Sequence, residues 1–118
     1  MPLKVLIVDD AEVDRTNLER IVVGAGHVAL LADSGERAVQ RAVADKPDLI
    51  FMDVNMPGMD GFATTRKLRD NEQTKSIPLV IVSSKGEKAD KVWAQILGAR
   101  AYVVKPYKPE EIVAELAA

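Results

Sequence analysis

Apolar positions in this chain follow two rhythms. Short continuous runs rich in branched residues fill Leu3–Val8, Val28–Ala32, Asp48–Met52, Leu79–Val82 and Ala101–Val104. Runs of that length predict buried β-strands. Between them the apolar residues recur at helical spacing. Leu18, Ile21, Val22 and Ala25 fall at i, i+3, i+4 and i+7, and Gly24 and Gly26 then stop the helix. Ser34 is placed to cap a second helix whose apolar face is Ala38, Val39, Ala42 and Val43, and Lys46-Pro47 ends it. A third helix, from about Phe62 to Asp70, has a weak period and is placed by its flanks. The fourth carries Ala89, Val92, Trp93, Ile96 and Leu97, expected to face the core, with Gly98 as its stop. The fifth begins at Pro109, with Glu110 and Glu111 suited to the helix dipole and Ile112, Val113 and Leu116 on its apolar face. Five alternations of apolar strand and amphipathic helix predict a three-layer α/β sandwich around a parallel sheet covered on both faces.

Composition narrows the choice of function. At 118 residues the chain fits one domain, 1–118, with no internal repeat, no linker and no output module after Lys108. A formal net charge of −2 provides no field to recruit nucleic acid or anionic lipid. One Trp, two Tyr and two Phe are too few for a base-stacking surface. The absence of cysteine excludes disulfides and thiolate chemistry. The first apolar run is too short for a signal peptide or a membrane span, so a cytoplasmic location is expected.

Chemistry gathers where the strands end. Val5-Leu6-Ile7-Val8 runs into Asp9-Asp10, and Leu49-Ile50-Phe51-Met52 runs into Asp53 and a Pro/Gly turn. Leu79-Val80-Ile81-Val82 ends at Ser83-Ser84, and Ala101-Tyr102-Val103-Val104 at Lys105-Pro106. An open parallel sheet collects such ends along one edge, where ligands bind. Three carboxylates that meet there repel and must take up protons or a cation. Oxygen ligands suit a hard ion such as Mg²⁺, which keeps waters and accepts phosphate oxygens. Asp9, Asp10 and Asp53 sum to −3, and Lys105 with one Mg²⁺ sums to +3. A site balanced in this way is prepared for an incoming phosphoryl group, and a carboxylate can receive it as an aspartyl-phosphate.

These motifs resemble those of response-regulator receiver domains of two-component signalling, of the single-domain chemotaxis kind. The resemblance covers essentially the whole chain. It rests on the acidic pair after the first strand, Asp53-Val54-Asn55-Met56-Pro57 after the third, Ser83 after the fourth and Lys105-Pro106 after the fifth. It implies a flavodoxin-like doubly wound (βα)5 fold with strand order 2-1-3-4-5 and a cis Lys105-Pro106 bond. It implies Asp53 as phospho-acceptor and Asp10, Asp53 and the Asn55 backbone carbonyl as Mg²⁺ ligands, with Asp9 holding metal-bound water. By the same resemblance Lys105 contacts the phosphoryl group, Ser83 is the switch hydroxyl, and Tyr102 is the aromatic that repacks inward with it. The implied partners are a histidine kinase or phosphotransfer protein, and an effector on the face of helix 4, strand 5 and helix 5. No catalysis is implied beyond the domain's own phosphorylation and dephosphorylation. The Lys91-Val92-Trp93 stretch and the Gly98-Ala99-Arg100 turn are similar to single-domain regulators of twitching motility.

Taken singly, each motif has a plainer meaning. Asp9-Asp10 alone reads as a helix cap, Met56-Pro57-Gly58 as a turn and Lys105-Pro106 as a strand stop. Lys85, Lys88, Lys91 and Lys108 read singly as a solvated face, with a partner surface near the fourth and fifth helices as the alternative, and His27 as a surface residue without a role. A binding module that never carries phosphate, a haloacid-dehalogenase-type phosphatase and a flavodoxin-like electron carrier are the competing classes. The phosphatase wants Asp-x-Asp where Asp9-Asp10 is adjacent, and Asp9-Asp10-Ala11-Glu12 would repel a flavin phosphate. Ser83 stands where the family more often has Thr, and Ser84 where it mostly has Ala or Gly. Asn55 and Lys85, each two positions past a site residue, are expected to tune water access and phosphate lifetime.

Overall fold

The computed structural model describes residues 2–54, 60–84 and 86–118. Strands β1 (Lys4–Val8), β2 (Val28–Ala32), β3 (Leu49–Met52), β4 (Leu79–Ser83) and β5 (Ala101–Val104) alternate with helices α1 (Glu12–Gly24), α2 (Gly35–Asp45), α3 (Gly61–Asp70), α4 (Lys88–Ile96) and α5 (Pro109–Ala117). All strand pairs are parallel, in the order β2-β1-β3-β4-β5. The three central strands are buried on both sides, so their side chains alternate between two cores. Leu6, Val8, Ile50, Met52, Leu79 and Ile81 join Ala38 and Ala42 of α2, Leu68 of α3 and Ala94 of α4 on one face. Val5, Ile7, Leu49, Phe51, Val80 and Val82 join Leu18 and Val22 of α1 and Ile112 and Leu116 of α5 on the other.

The element ends differ from expectation by about a residue. Leu3 and Asp48 lie outside the strands. The Asp48 carboxylate accepts the Lys4 N–H at 2.8 Å, and the Asp48 N–H donates to the Lys4 carbonyl at 2.7 Å. Strand β4 runs on to include Ser83, which fixes that hydroxyl to rigid backbone. The Ser34 hydroxyl accepts the Arg37 N–H as the cap of α2, and Asp60 does the same for α3 through the Ala63 N–H. Lys46 closes α2 in the left-handed region at φ 47°.

Three expectations are corrected. Helix α4 does not turn Ala89, Val92, Trp93 and Ile96 into the core: Trp93 is 50% exposed, Ile96 is 68% exposed, and Ala94 is the buried residue. This helix lies over β5, the edge strand, where little sheet remains to cover it. Val113 of α5 is likewise exposed. Trp93→Ala is therefore expected to cost less than about 1 kcal/mol by urea unfolding, well short of the roughly 3–5 kcal/mol of a buried aromatic. His27, expected at the surface without a role, is half-buried, and its Nδ1 accepts the Leu3 N–H at 2.9 Å. That bond ties the chain entering β1 to the turn before β2.

Candidate functional site

The sheet register sets the site. Val8 pairs with Met52, so the next residues, Asp9 and Asp53, emerge side by side. The Asp53 N–H donates to the Val8 carbonyl at 2.9 Å, and the Asp9 N–H to the Ala32 carbonyl at 3.1 Å. Both carboxylates are therefore held by backbone that continues the ladder. Asp9 and Asp53 are buried, and Asp10 is exposed at the mouth. One oxygen from each of the three lies within 4.8 Å of the others. The Asp9 Oδ1 accepts the Ala11 N–H at 3.0 Å, and the Arg15 guanidinium donates to the Asp9 carbonyl at 2.8 Å.

Lys105 follows β5, and its N–H donates to the Ser83 carbonyl at 2.8 Å. The Lys105-Pro106 bond is cis, as the resemblance implied. Its Nζ donates to Asp9 Oδ2 at 2.9 Å and to Asp14 Oδ2 at 3.1 Å. Burial by itself lowers the pKa of this ammonium. The hydrogen bond to Asp9, the fields of Asp53 and Asp9 and the bond to Asp14 outweigh it and hold the group above its ordinary 10.5. Lys105 therefore stays charged at neutral pH.

Ser83 is fully buried, and Tyr102 of β5 is half-buried against the core on the α4 side. The two side chains are hydrogen-bonded. Burial pushes the Tyr102 phenol above its ordinary 10.0. The Ser83 bond pulls it down, and Asp90 and Asp53 push it up.

Asp9, Asp10, Asp53, Ser83, Lys105 and Tyr102 are thus brought to one edge of the sheet. Asn55 and Lys85 lie outside the described residues, as do Met56, Pro57 and Gly58. Lys88, Lys91 and Lys108 are exposed. Two residues escaped the sequence reading. Asp14 shares the ammonium of Lys105 from the first turn of α1. Its signal was its place one helical turn beyond the acidic pair. Gly61, the first residue of α3, is buried against the Asp53–Val54 backbone. Its signal was the small residue after a capping Asp60.

The donor set fits a hard divalent cation. Three carboxylate oxygens converge, two of the residues are buried, and the side-chain cation Lys105 is already bound to Asp9 and Asp14. Asp9, Asp10 and Asp53 are the described residues that can hold it.

The chain belongs to the response regulator receiver domain family, whose model matches residues 5–117. It is a receiver domain of two-component signalling. It is 39% identical to protein PilH of Pseudomonas aeruginosa over 110 residues, which cover 93% of this chain and 91% of that one. It also matches transcriptional regulators, of whose length it spans about half. Among solved structures, the chemotaxis protein CheY4 of Vibrio cholerae superposes with a TM-score of 0.93 at 31% identity, covering 99% of this chain and 98% of that one. The receiver domain of the sensor histidine kinase PA1611 of Pseudomonas aeruginosa superposes at 0.90 with 28% identity, covering 98% and 95%, and carries a magnesium ion in its active-site cleft. No helix among the described residues is long and apolar enough to cross a membrane.

Proposed function

We propose that this chain is a phosphorylation switch in which Asp53 accepts a phosphoryl group from a histidine kinase or phosphotransfer protein. The observation that carries the reading is the meeting of three carboxylate oxygens within 4.8 Å, from the ends of β1 and β3, beside the Lys105 ammonium at the end of β5. One oxygen of Asp53 forms a bond to phosphorus as the bond from phosphorus to the donor's imidazole nitrogen breaks. The donor's other ring nitrogen carries a proton, so the imidazole keeps the electron pair of the broken bond and leaves neutral. Burial holds the Asp53 oxygen in place and limits competition from water. Lys105 offers a charged N–H to the transferred group. Asp10 and Asp53 would hold Mg²⁺ with Asp9 beside them, and the Asn55 backbone carbonyl is the further ligand that the resemblance implies. When bound, Mg²⁺ neutralises phosphoryl oxygens that the carboxylates would otherwise repel.

Ser83 and Tyr102 form the readout. Their hydrogen bond links the buried end of β4 to the half-exposed ring on β5. When the Ser83 hydroxyl turns to the phosphoryl group, Tyr102 repacks inward. The face of α4, β5 and α5 then changes its affinity for an effector protein. Phosphorylation biases this two-state balance through its different interactions with the two states. The exposed Val92, Ile96 and Val113 on that face suit a protein partner. The similarity to PilH and CheY4 supports a role in chemotaxis or pilus-driven motility.

Intact mass after incubation with acetyl phosphate tests the reading. Wild type is expected to gain one phosphoryl group with Mg²⁺ and none with chelator. Asp53→Asn, which relieves repulsion among the acids, is expected to stay folded and gain none. Equal labelling of that variant would sink the assignment.

A further inference from the structure

We propose that Asp14 is a positioning residue that holds the Lys105 ammonium in the unphosphorylated state and gives it up when phosphoryl arrives on Asp53; the inference rests on the role of Asp53 proposed above. A lysine ammonium has three N–H donors. Here one goes to Asp9 at 2.9 Å and one to Asp14 at 3.1 Å. A phosphoryl group on Asp53 brings three terminal oxygens, more than the one remaining N–H can meet, so they compete for the donors already in use. Of the two contacts, the one to Asp14 is cheaper to give up. Asp9 is 1% exposed, and losing its cation would strand a buried charge. Asp14 is 47% exposed, so water replaces the ammonium at little cost. A contact present before phosphorylation and lost after it favours the unphosphorylated state. Asp14 thus sets how readily the site fills, from a helix that contributes no residue to the Asp9–Asp10–Asp53 cluster.

The test is the affinity for beryllofluoride, which adds to a carboxylate as a phosphoryl mimic, read by ¹⁹F NMR in saturating Mg²⁺. Asp14→Asn is compared with Glu12→Gln. Both remove one negative charge from the first turn of α1, so helix-dipole and general field effects match. Asp14→Asn is expected to tighten beryllofluoride about threefold beyond Glu12→Gln. Asp14→Glu, which restores the charge at longer reach, is expected to return toward wild type. If Asp14→Asn and Glu12→Gln coincide while wild type binds, the positioning role is wrong and the Asp53 assignment stands. Weaker binding by Asp14→Asn overturns it as well. If wild type takes up no beryllofluoride at all, the Asp53 assignment and this inference both fall.

Discussion

Replacing Gly61 with alanine is expected to cost the domain about 3 kcal/mol of stability and slow phosphoryl acceptance by about a hundredfold. A Cβ at this position would sit 2.2 Å from the Asp53 carbonyl oxygen, 2.4 Å from the Val54 Cα and 2.8 Å from the Asp53 carbonyl carbon. All three are backbone atoms, so no side chain can swing aside. Either α3 lifts off the sheet or the Asp53 peptide moves. The first opens the core around Leu68, and the second displaces the carboxylate from the cluster. The Gly61 N–H also donates to the Val54 carbonyl at 3.3 Å, so a shift strains a bond at the same point. Gly24 provides the contrast, because a Cβ there meets nothing within 4 Å. Gly24→Ala should leave both quantities unchanged or raise stability slightly. Urea unfolding and the rate of labelling by acetyl phosphate decide between them, and a Gly61→Ala variant matching wild type in both would show that the close approach constrains nothing.

Lys105→Met is expected to weaken the fold chiefly when Mg²⁺ is absent. The substitution keeps an unbranched stem and removes the charge. Asp9, 1% exposed, then loses its ammonium partner beside Asp53. Breaking a buried pair from one side costs about 3 kcal/mol, because the remaining charge is uncompensated. A divalent cation bound by the native cluster supplies positive charge in its place and stabilises only the folded state. Added Mg²⁺ should therefore restore much of the loss in urea unfolding. It should not restore phosphorylation, which lacks its charged donor and should fall by about a hundredfold. Equal stability of variant and wild type in chelator would mean that Lys105 does not neutralise Asp9.

The fold was legible because the central strands are buried on both faces. Leu49, Ile50, Phe51 and Met52 feed both cores in turn, and only a covered parallel strand needs four apolar residues in a row. The site was legible for a related reason: such strands place their next residue at a common edge, and Asp9, Asp53, Ser83 and Lys105 are those residues or the last in the strand. What stayed hidden depends on distance in space. The Asp14–Lys105 pair joins residues 91 positions apart, and an acid in a first turn looks like any favourable helix charge. The approach of Gly61 to Asp53 is a matter of backbone proximity, to which composition and period are blind. The pattern on α4 misled because periodicity reports an apolar stripe without saying whether sheet remains to cover it. His27 gave no pattern, since one imidazole accepting one backbone N–H leaves no trace in the sequence.

The most direct test of the central claim is the position of the acyl phosphate. Borohydride reduces an aspartyl-phosphate to homoserine and leaves free carboxylates unchanged. The wild-type protein, labelled with acetyl phosphate and Mg²⁺, reduced, and mapped by peptide mass spectrometry, is predicted to carry homoserine at position 53 and nowhere else. Homoserine at position 9, 10 or 14 in place of 53, or at no position, would contradict the account.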